Sequence, residues 1–365
     1  MTTTTFAAAE AFPPGEYLRD ELEERGWTVT EFAEIIGRPV QEVSEILNGK
    51  KEITTETAWE LSDALGTTPE LWLNLQTRHR LFEQRMKVHS IDKPSPVARR
   101  ARLRNLVPLA KVRARGWVPD SEDLDVLESA VADLLELESL EHRPQFALAA
   151  RRANSTEPIT LEQTAWLGRI RIVASNVSVS AFDPHALASL ALAVPRLTQA
   201  GPEELRHLPA RFAACGVALV FAEGLSGGKL DGAVTFLTDG RPVIGLTTRG
   251  DRFDGVVFTL LHECAHLVLG HITPDDPVIV DDDLQTTQTD PDEIAANDQA
   301  SAWLFPDGCD IASNSVPAML EAAERYGVHP SVIIGRVQRE TNDWRRHRTK
   351  IPKVRPFLAE AGLMS

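Results

Sequence analysis

A chain of 365 residues can hold two or three domains, and its 43% apolar content is that of an ordinary globular protein. A net charge of −15 excludes a protein that coats nucleic acid through a general positive field. The apolar runs are too short to span a bilayer, the N-terminus lacks the pattern of a signal peptide, and three widely spaced cysteines (Cys215, Cys264, Cys309) indicate reduced thiols in a cytoplasm.

Charge is unevenly spread. Residues 10–85 carry sixteen Asp/Glu against eight Lys/Arg, whereas residues 86–115 carry nine Lys/Arg and one Asp. Residues 1–11 read as a frayed tail. Leu18 and Leu22 then stand at helical spacing in a helix that stops at Gly26. Thr28 lies three residues before Glu31, a capping-box spacing, and opens a second helix ended by Gly37. A third runs from Pro39 to Leu47 and is stopped by Asn48-Gly49. Thr54 opens a fourth through Leu65, and Thr68-Pro69-Glu70 a fifth through Gln76. Five short helices with a tight glycine turn between the second and third predict a helix-turn-helix domain over residues 12–85.

The Gly37 turn, the Asn48-Gly49-Lys50-Lys51 stop, the Ile53-Thr54 start and Thr68-Pro-Glu-Leu-Trp-Leu-Asn-Leu-Gln76 together resemble HigA/VapI-type antitoxins of the Xre helix-turn-helix class. The resemblance implies a dimer that binds operator DNA and represses its own operon, with a cognate toxin as partner. The third helix is then the recognition helix, carrying Arg38, Gln41, Ser44, Asn48 and Lys50 towards DNA. The chain departs from that pattern by placing Pro39 where Ser is usual. Glu42 and Glu45 add negative charge, which phosphates repel.

Residues 86–116 read as a basic connector. Lys93-Pro-Ser-Pro96 marks a joint, and Arg99-Arg-Ala-Arg-Leu-Arg104 reads as a helix whose charges either touch DNA backbone or face water and pair with acidic neighbours. Residues 117–212 read as a mostly helical middle region, with helices at 122–140, 145–152, 160–174 and 184–197. It carries no catalytic signal, and Phe146 and Trp166 read as packing residues.

The period changes at Gly216. Strands are expected at 216–222, 232–237 and 241–247, the last two forming a hairpin about Asp239-Gly240. Asp254 can cap the helix that follows, Phe258-Thr-Leu-Leu-His-Glu-Cys-Ala-His-Leu-Val-Leu-Gly270. On that helix His262 and His266 share a face and can bind one metal ion. Glu263 lies beside the open coordination position, where it can take a proton from water. Cys264 points away from His262 and reads as a core thiol, and His271 as a cap on the carbonyls of the helix end.

A catalytic zinc needs a third protein ligand. An acidic loop follows Gly270, and helical pattern resumes at Asp290-Pro-Asp-Glu293. Glu293 serves equally well as that ligand or as the N3 residue of a capping box with Asp290 as N-cap. Chain chemistry leaves both open.

The HECAH helix, Glu293 with Ala296-Asn297, Ala300 and Leu304-Phe-Pro306 resemble the ImmA/IrrE metallopeptidase family over residues 210–345. Gly232-Ala233, Arg249, Asp251-Arg252 and Gly327–Gln338 extend the match. The resemblance implies Zn2+ held by His262, His266 and Glu293, with Glu263 as general base. Asn297 is placed to hydrogen-bond a ligand, and His329 either contacts an oxyanion or simply starts a helix. The chain has Ala265, Ala295 and Gln299 where the family often has Gly, Glu and Phe.

The expected fold is α+β and mostly α: the N-terminal domain, the helical connector and middle region, and a zincin-like domain over 213–365 with a small sheet and the HExxH helix. The expected function is a helix-turn-helix regulator fused to a zinc-dependent endopeptidase that cleaves a repressor or related regulatory protein. The alternative is a non-proteolytic antitoxin or autorepressor that uses the metallopeptidase fold for sensing or docking. Expected partners are operator DNA, a protein substrate, a toxin and a second copy of the chain, with no membrane.

Overall fold

A computed structural model of the chain describes residues 12–88, 94–149, 151–152, 159–274, 278–281 and 290–364. The tail expected over residues 1–11 lies outside the described residues. So does much of the acidic loop after Gly270. The chain divides into two compact units, Met1–Ser95 and Pro96–Ser365. Among the described residues no helix is long and apolar enough to cross a membrane.

The first unit holds α1 (Pro14–Arg25), α2 (Val29–Ile36), α3 (Val40–Leu47), α4 (Thr55–Leu65) and α5 (Pro69–Val88). Thr28 and Glu31 form the expected capping box, each side chain accepting the other's backbone N–H. Between α2 and α3 the chain turns through Gly37, whose φ of 66° is left-handed and costs least at glycine. Leu18, Phe32, Val43, Leu61 and Trp72 meet in one core. The start of α1 sits against the end of α3, because a Cβ on Gly15 would lie 2.5 Å from the carbonyl oxygens of Ile46 and Leu47. Gln76 accepts the Ile53 N–H at 3.1 Å and ties α5 to the loop before α4. That helix runs on past Gln76 to Val88, because no Gly or Pro follows to stop it.

The second unit contains α6 (Pro96–Leu106), α7 (Leu109–Ala114), α8 (Leu124–Leu135), α9 (Gln145–Ala149), β1 (Arg151–Arg152), α10 (Leu161–Ser175), α11 (Pro184–Leu197) and α12 (Leu208–Ala214). Then come β2 (Ala218–Phe221), β3 (Gly232–Phe236), β4 (Pro242–Leu246), α13 (Phe253–Val268), β5 (Val278–Asp281), α14 (Pro291–Leu304), α15 (Val316–Tyr326), α16 (Pro330–Thr341) and α17 (Arg355–Glu360). The strands form one sheet in the order β1-β5-β3-β4-β2. β3 and β4 make the expected antiparallel hairpin, with Gly232 opposite Leu246. β2 runs parallel to β4, and β5 pairs antiparallel with β3.

All residues of β2, β3 and β4 are buried, so helices cover both faces of the sheet. The two-residue period sorts their side chains into two cores. Ala218, Val220, Ala233 and Val243 join Val131, Trp166 and Ile170 of α8 and α10. Leu219, Phe221, Val234 and Ile244 join Val257, Leu260 and Leu261 of α13. The helices of residues 117–212 are therefore not a region apart. The apolar stripes of α8 and α10 find their partner in the sheet face away from α13, whereas α11 and α12 pack on the α13 side. Trp166 and Phe146 pack in that core as expected, with the Trp166 indole donating to the Ala222 carbonyl at 3.1 Å. The helix expected over 145–152 stops at Ala149, and Arg151–Arg152 pair with β5 instead. The connector's cations pair with acidic neighbours: Arg99 with Asp125 and Glu128, Lys111 with Glu162.

Candidate metal centre

The site rests on α13 and α14. Apart from Gly255, the sequence from Phe253 to Val268 holds neither Gly nor Pro, and Gly270 (φ 72°) ends the helix by turning the chain back. One side of α13 packs under β3 and β4, so the motif is carried inside. His262, Glu263 and His266 are each 0% exposed, and Glu293 of α14 is 2% exposed. Burying four such groups costs several kcal/mol unless each is satisfied, so their arrangement carries information.

The two Nε2 atoms of His262 and His266 lie 2.9 Å apart, with ring planes at 75°. The Glu293 oxygens lie 3.3 Å from the His262 Nε2 and 3.4 Å from the His266 Nε2. One donor atom from each residue falls within 4.8 Å of the others. Two imidazoles and a carboxylate converging in this way form a donor set suited to a catalytic zinc ion, which leaves a fourth position open. The other ring nitrogens are also held. His262 Nδ1 is 3.2 Å from the Asn297 Oδ1, and His266 Nδ1 is 3.0 Å from the His271 Nδ1. With Nδ1–H donated to Asn297, the His262 Nε2 presents its lone pair to the cluster.

Glu293 is not a capping residue. The Asp290 side chain caps the N–H of Asp292 at 2.9 Å, and Glu293 turns inward to the histidines. The His271 ring supports His266, although its backbone N–H does take the His266 carbonyl. Gly270 allows this by folding residue 271 back on the last turn, a tertiary effect that five-residue spacing alone does not announce. Gly232 is a further site residue that residue chemistry alone did not mark. A Cβ there would lie 2.1 Å from the Glu263 Oε1 and 2.8 Å from the Thr259 methyl, so the bare backbone of β3 makes room for Glu263. Cys264 is buried in the core as expected, and burial pushes its thiol well up.

One expectation needs correction. Asp254 does not cap α13, whose N-cap is Arg252 without a side-chain bond. Asp254 instead pairs with Arg252 at 2.6 Å, and burial pushes its carboxyl up against the pull of that cation. Of the two roles open to His329, the helix start is seen: it is the N-cap of α16, taking the Ser331 N–H at 3.1 Å while its ring meets Phe253 edge-on. Burial pushes its pKa down. Its described contacts do not include the His262 cluster, because α16 needs it at the helix start.

In the first unit, the candidate DNA residues lie on α3 and its flanks: Gln41 and Ser44 on the helix, Arg38 before it, Asn48 and Lys50 after it. Gln41, Asn48 and Lys50 are exposed, and Ser44 is half-buried. Gln41 donates to Glu45 at 3.1 Å, and Asn48 to the Ser44 carbonyl at 2.7 Å. Arg38 is already paired with Glu42 and Glu60, and Glu42 also holds Lys51.

A helix-turn-helix family model matches residues 18–72. The HTH-type transcriptional regulator YddM of Escherichia coli is 36% identical over 70 residues, which are 19% of this chain and 74% of that protein. Antitoxin HigA-1 of Vibrio cholerae is 42% identical over 72 residues, 20% of this chain and 68% of its own length. Among solved structures, a HigA-family addiction module antidote protein from Coxiella burnetii is 34% identical, with a TM-score of 0.21. It matches 24% of this chain and the whole of that one. By its N-terminal unit, the chain belongs to the helix-turn-helix family of HTH-type transcriptional regulators.

Proposed function

We propose that the chain is a DNA-binding regulator fused to a zinc-dependent endopeptidase of ImmA/IrrE type, which cleaves a repressor or a related regulatory protein. The observation that carries the peptidase half is the convergence of His262, His266 and Glu293, all buried, beside Glu263. Bound by those three residues, Zn2+ would supply Lewis acidity to the scissile carbonyl and lower the pKa of water towards about 7. The chain's own residues do the rest. Glu263 takes the proton of the attacking water and hands it to the leaving amine. Asn297 and His271 hold the imidazoles in register, and Gly232 leaves Glu263 space beside β3.

The DNA-binding half rests on the family match and on the exposed Gln41 of α3 with Asn48 and Lys50 just after that helix. Its ion-paired acidic residues favour base contacts over general phosphate attraction. The likeness to an antitoxin keeps a second reading, a non-proteolytic autorepressor or antitoxin with the second unit as a sensor or docking surface.

One paired experiment separates the two. The wild-type chain and Glu263→Gln are assayed for zinc content, for cleavage of a candidate repressor and for gel shift on the chain's own promoter. The peptidase reading expects zinc in both and cleavage only in the wild type. Gel shift with an unaltered cellular phenotype for Glu263→Gln supports the second reading.

A further inference from the structure

Phe258 and Thr259 stand one helical turn before His262 and Glu263 on α13, and Ser301 stands one turn beyond Asn297 on α14. All three line a cavity of about 520 Å³. A turn advances about 5.4 Å, so the cavity begins beside the histidine cluster. Thr259 joins the two. It lines the cavity, while its methyl and the Glu263 carboxylate both close on Gly232.

The cavity wall is close to neutral in a chain of net charge −15, with four arginines against three carboxylates. In the cavity wall three guanidinium groups lie over aromatic rings: Arg252 over Trp344 at 5.5 Å, Arg336 over Phe305 at 5.2 Å and Arg339 over Phe258 at 5.6 Å. Leu304, Val256 and Val332 complete an apolar lining. Most of the wall's arginines are matched by a carboxylate, as Arg249 is by Asp231, Arg252 by Asp254 and Arg336 by Glu340. Arg339 is exposed and has no carboxylate partner among the described residues.

Resting on the peptidase reading above, we propose that this cavity is the side-chain pocket of the same site. It takes an aromatic residue of the substrate, and Arg339 at its mouth selects an acidic residue beside it. The aromatic and aliphatic walls suit a planar apolar side chain. One unmatched guanidinium suits one carboxylate. A nucleic-acid strand fits less well, because a run of phosphates needs several unmatched cations and the wall's other arginines are held by Asp231, Asp254 and Glu340.

The test uses the full chain carrying Glu263→Gln, titrated by fluorescence anisotropy with three labelled octapeptides that differ only in a central Asp-Phe, Lys-Phe or Asp-Ala pair. A single-stranded oligonucleotide serves as competitor. The Asp-Phe peptide is expected to bind at least about tenfold more tightly than either other. Adding Arg339→Glu removes or reverses the preference for Asp over Lys and keeps that for Phe over Ala. Ser301→Trp, which fills the cavity from α14, weakens all three peptides. Equal binding of the three, a preference untouched by Arg339→Glu, or displacement of the bound Asp-Phe peptide by the oligonucleotide overturns the proposal. Cleavage of the Asp-Phe peptide by the wild-type chain is read separately. Selective binding without cleavage contradicts the peptidase reading and upholds the pocket, whereas cleavage without selective binding contradicts the pocket alone.

Discussion

The start of α3 and the middle of α13 use the same four-residue spacing for polar side chains and put it to opposite ends. On the first, Arg38 meets Glu42 and Gln41 meets Glu45, all partly or fully accessible to water. On the second, His262 and His266 are 0% exposed, with Glu293 against both. An accessible pair at this spacing contributes about 0.3–0.5 kcal/mol and is screened by salt. A buried ionisable cluster instead costs several kcal/mol of desolvation and persists only with its full set of partners. The spacing is thus a local convenience in one unit and a chemical commitment in the other. Only burial, which comes from the sheet over α13, distinguishes them.

The contrast can be broken by substitution. The largest effect is expected at Glu263. Its change to Gln keeps the metal and lowers the rate of substrate cleavage about 10²–10⁴-fold, read by a peptide assay with zinc content as control. Asn297→Ala frees the far side of the His262 ring and weakens zinc binding about 10–100-fold in a competition titration with a chelator. Gly232→Ala pushes a methyl into Glu263 and Thr259. It is expected to cost about 1–3 kcal/mol in urea unfolding and to lower cleavage with it. At the other extreme, Arg38→Ala on the accessible side of the contrast changes stability by no more than about 1 kcal/mol. A loss of 3 kcal/mol there would erase the distinction.

Local chemistry made much of this legible. The Thr28–Glu31 box, the glycine stops of α1, α2 and α4, the β3–β4 hairpin and the shared face of His262 and His266 all depend on residues within a turn or a hairpin of one another. What local chemistry left open was set by partners far along the chain. Glu293 had two acceptable roles near Asp290, and the histidines more than twenty residues earlier decide between them. Asp254 looks like a cap until Arg252 and Gln338 are brought together around it. β5 lies in an acidic stretch without strand alternation, and its place is set by the open edge of β3. α8 and α10 carry apolar stripes whose partner, the far sheet face, begins more than forty residues after α10.

The central claim is that the buried cluster binds a metal ion, and equilibrium dialysis of the full chain against micromolar Zn2+, followed by elemental analysis, tests it most directly. The account predicts one zinc per chain in the wild type and close to none in His266→Ala. A wild-type chain that takes up no zinc, or an His266→Ala chain that takes up as much, would contradict it.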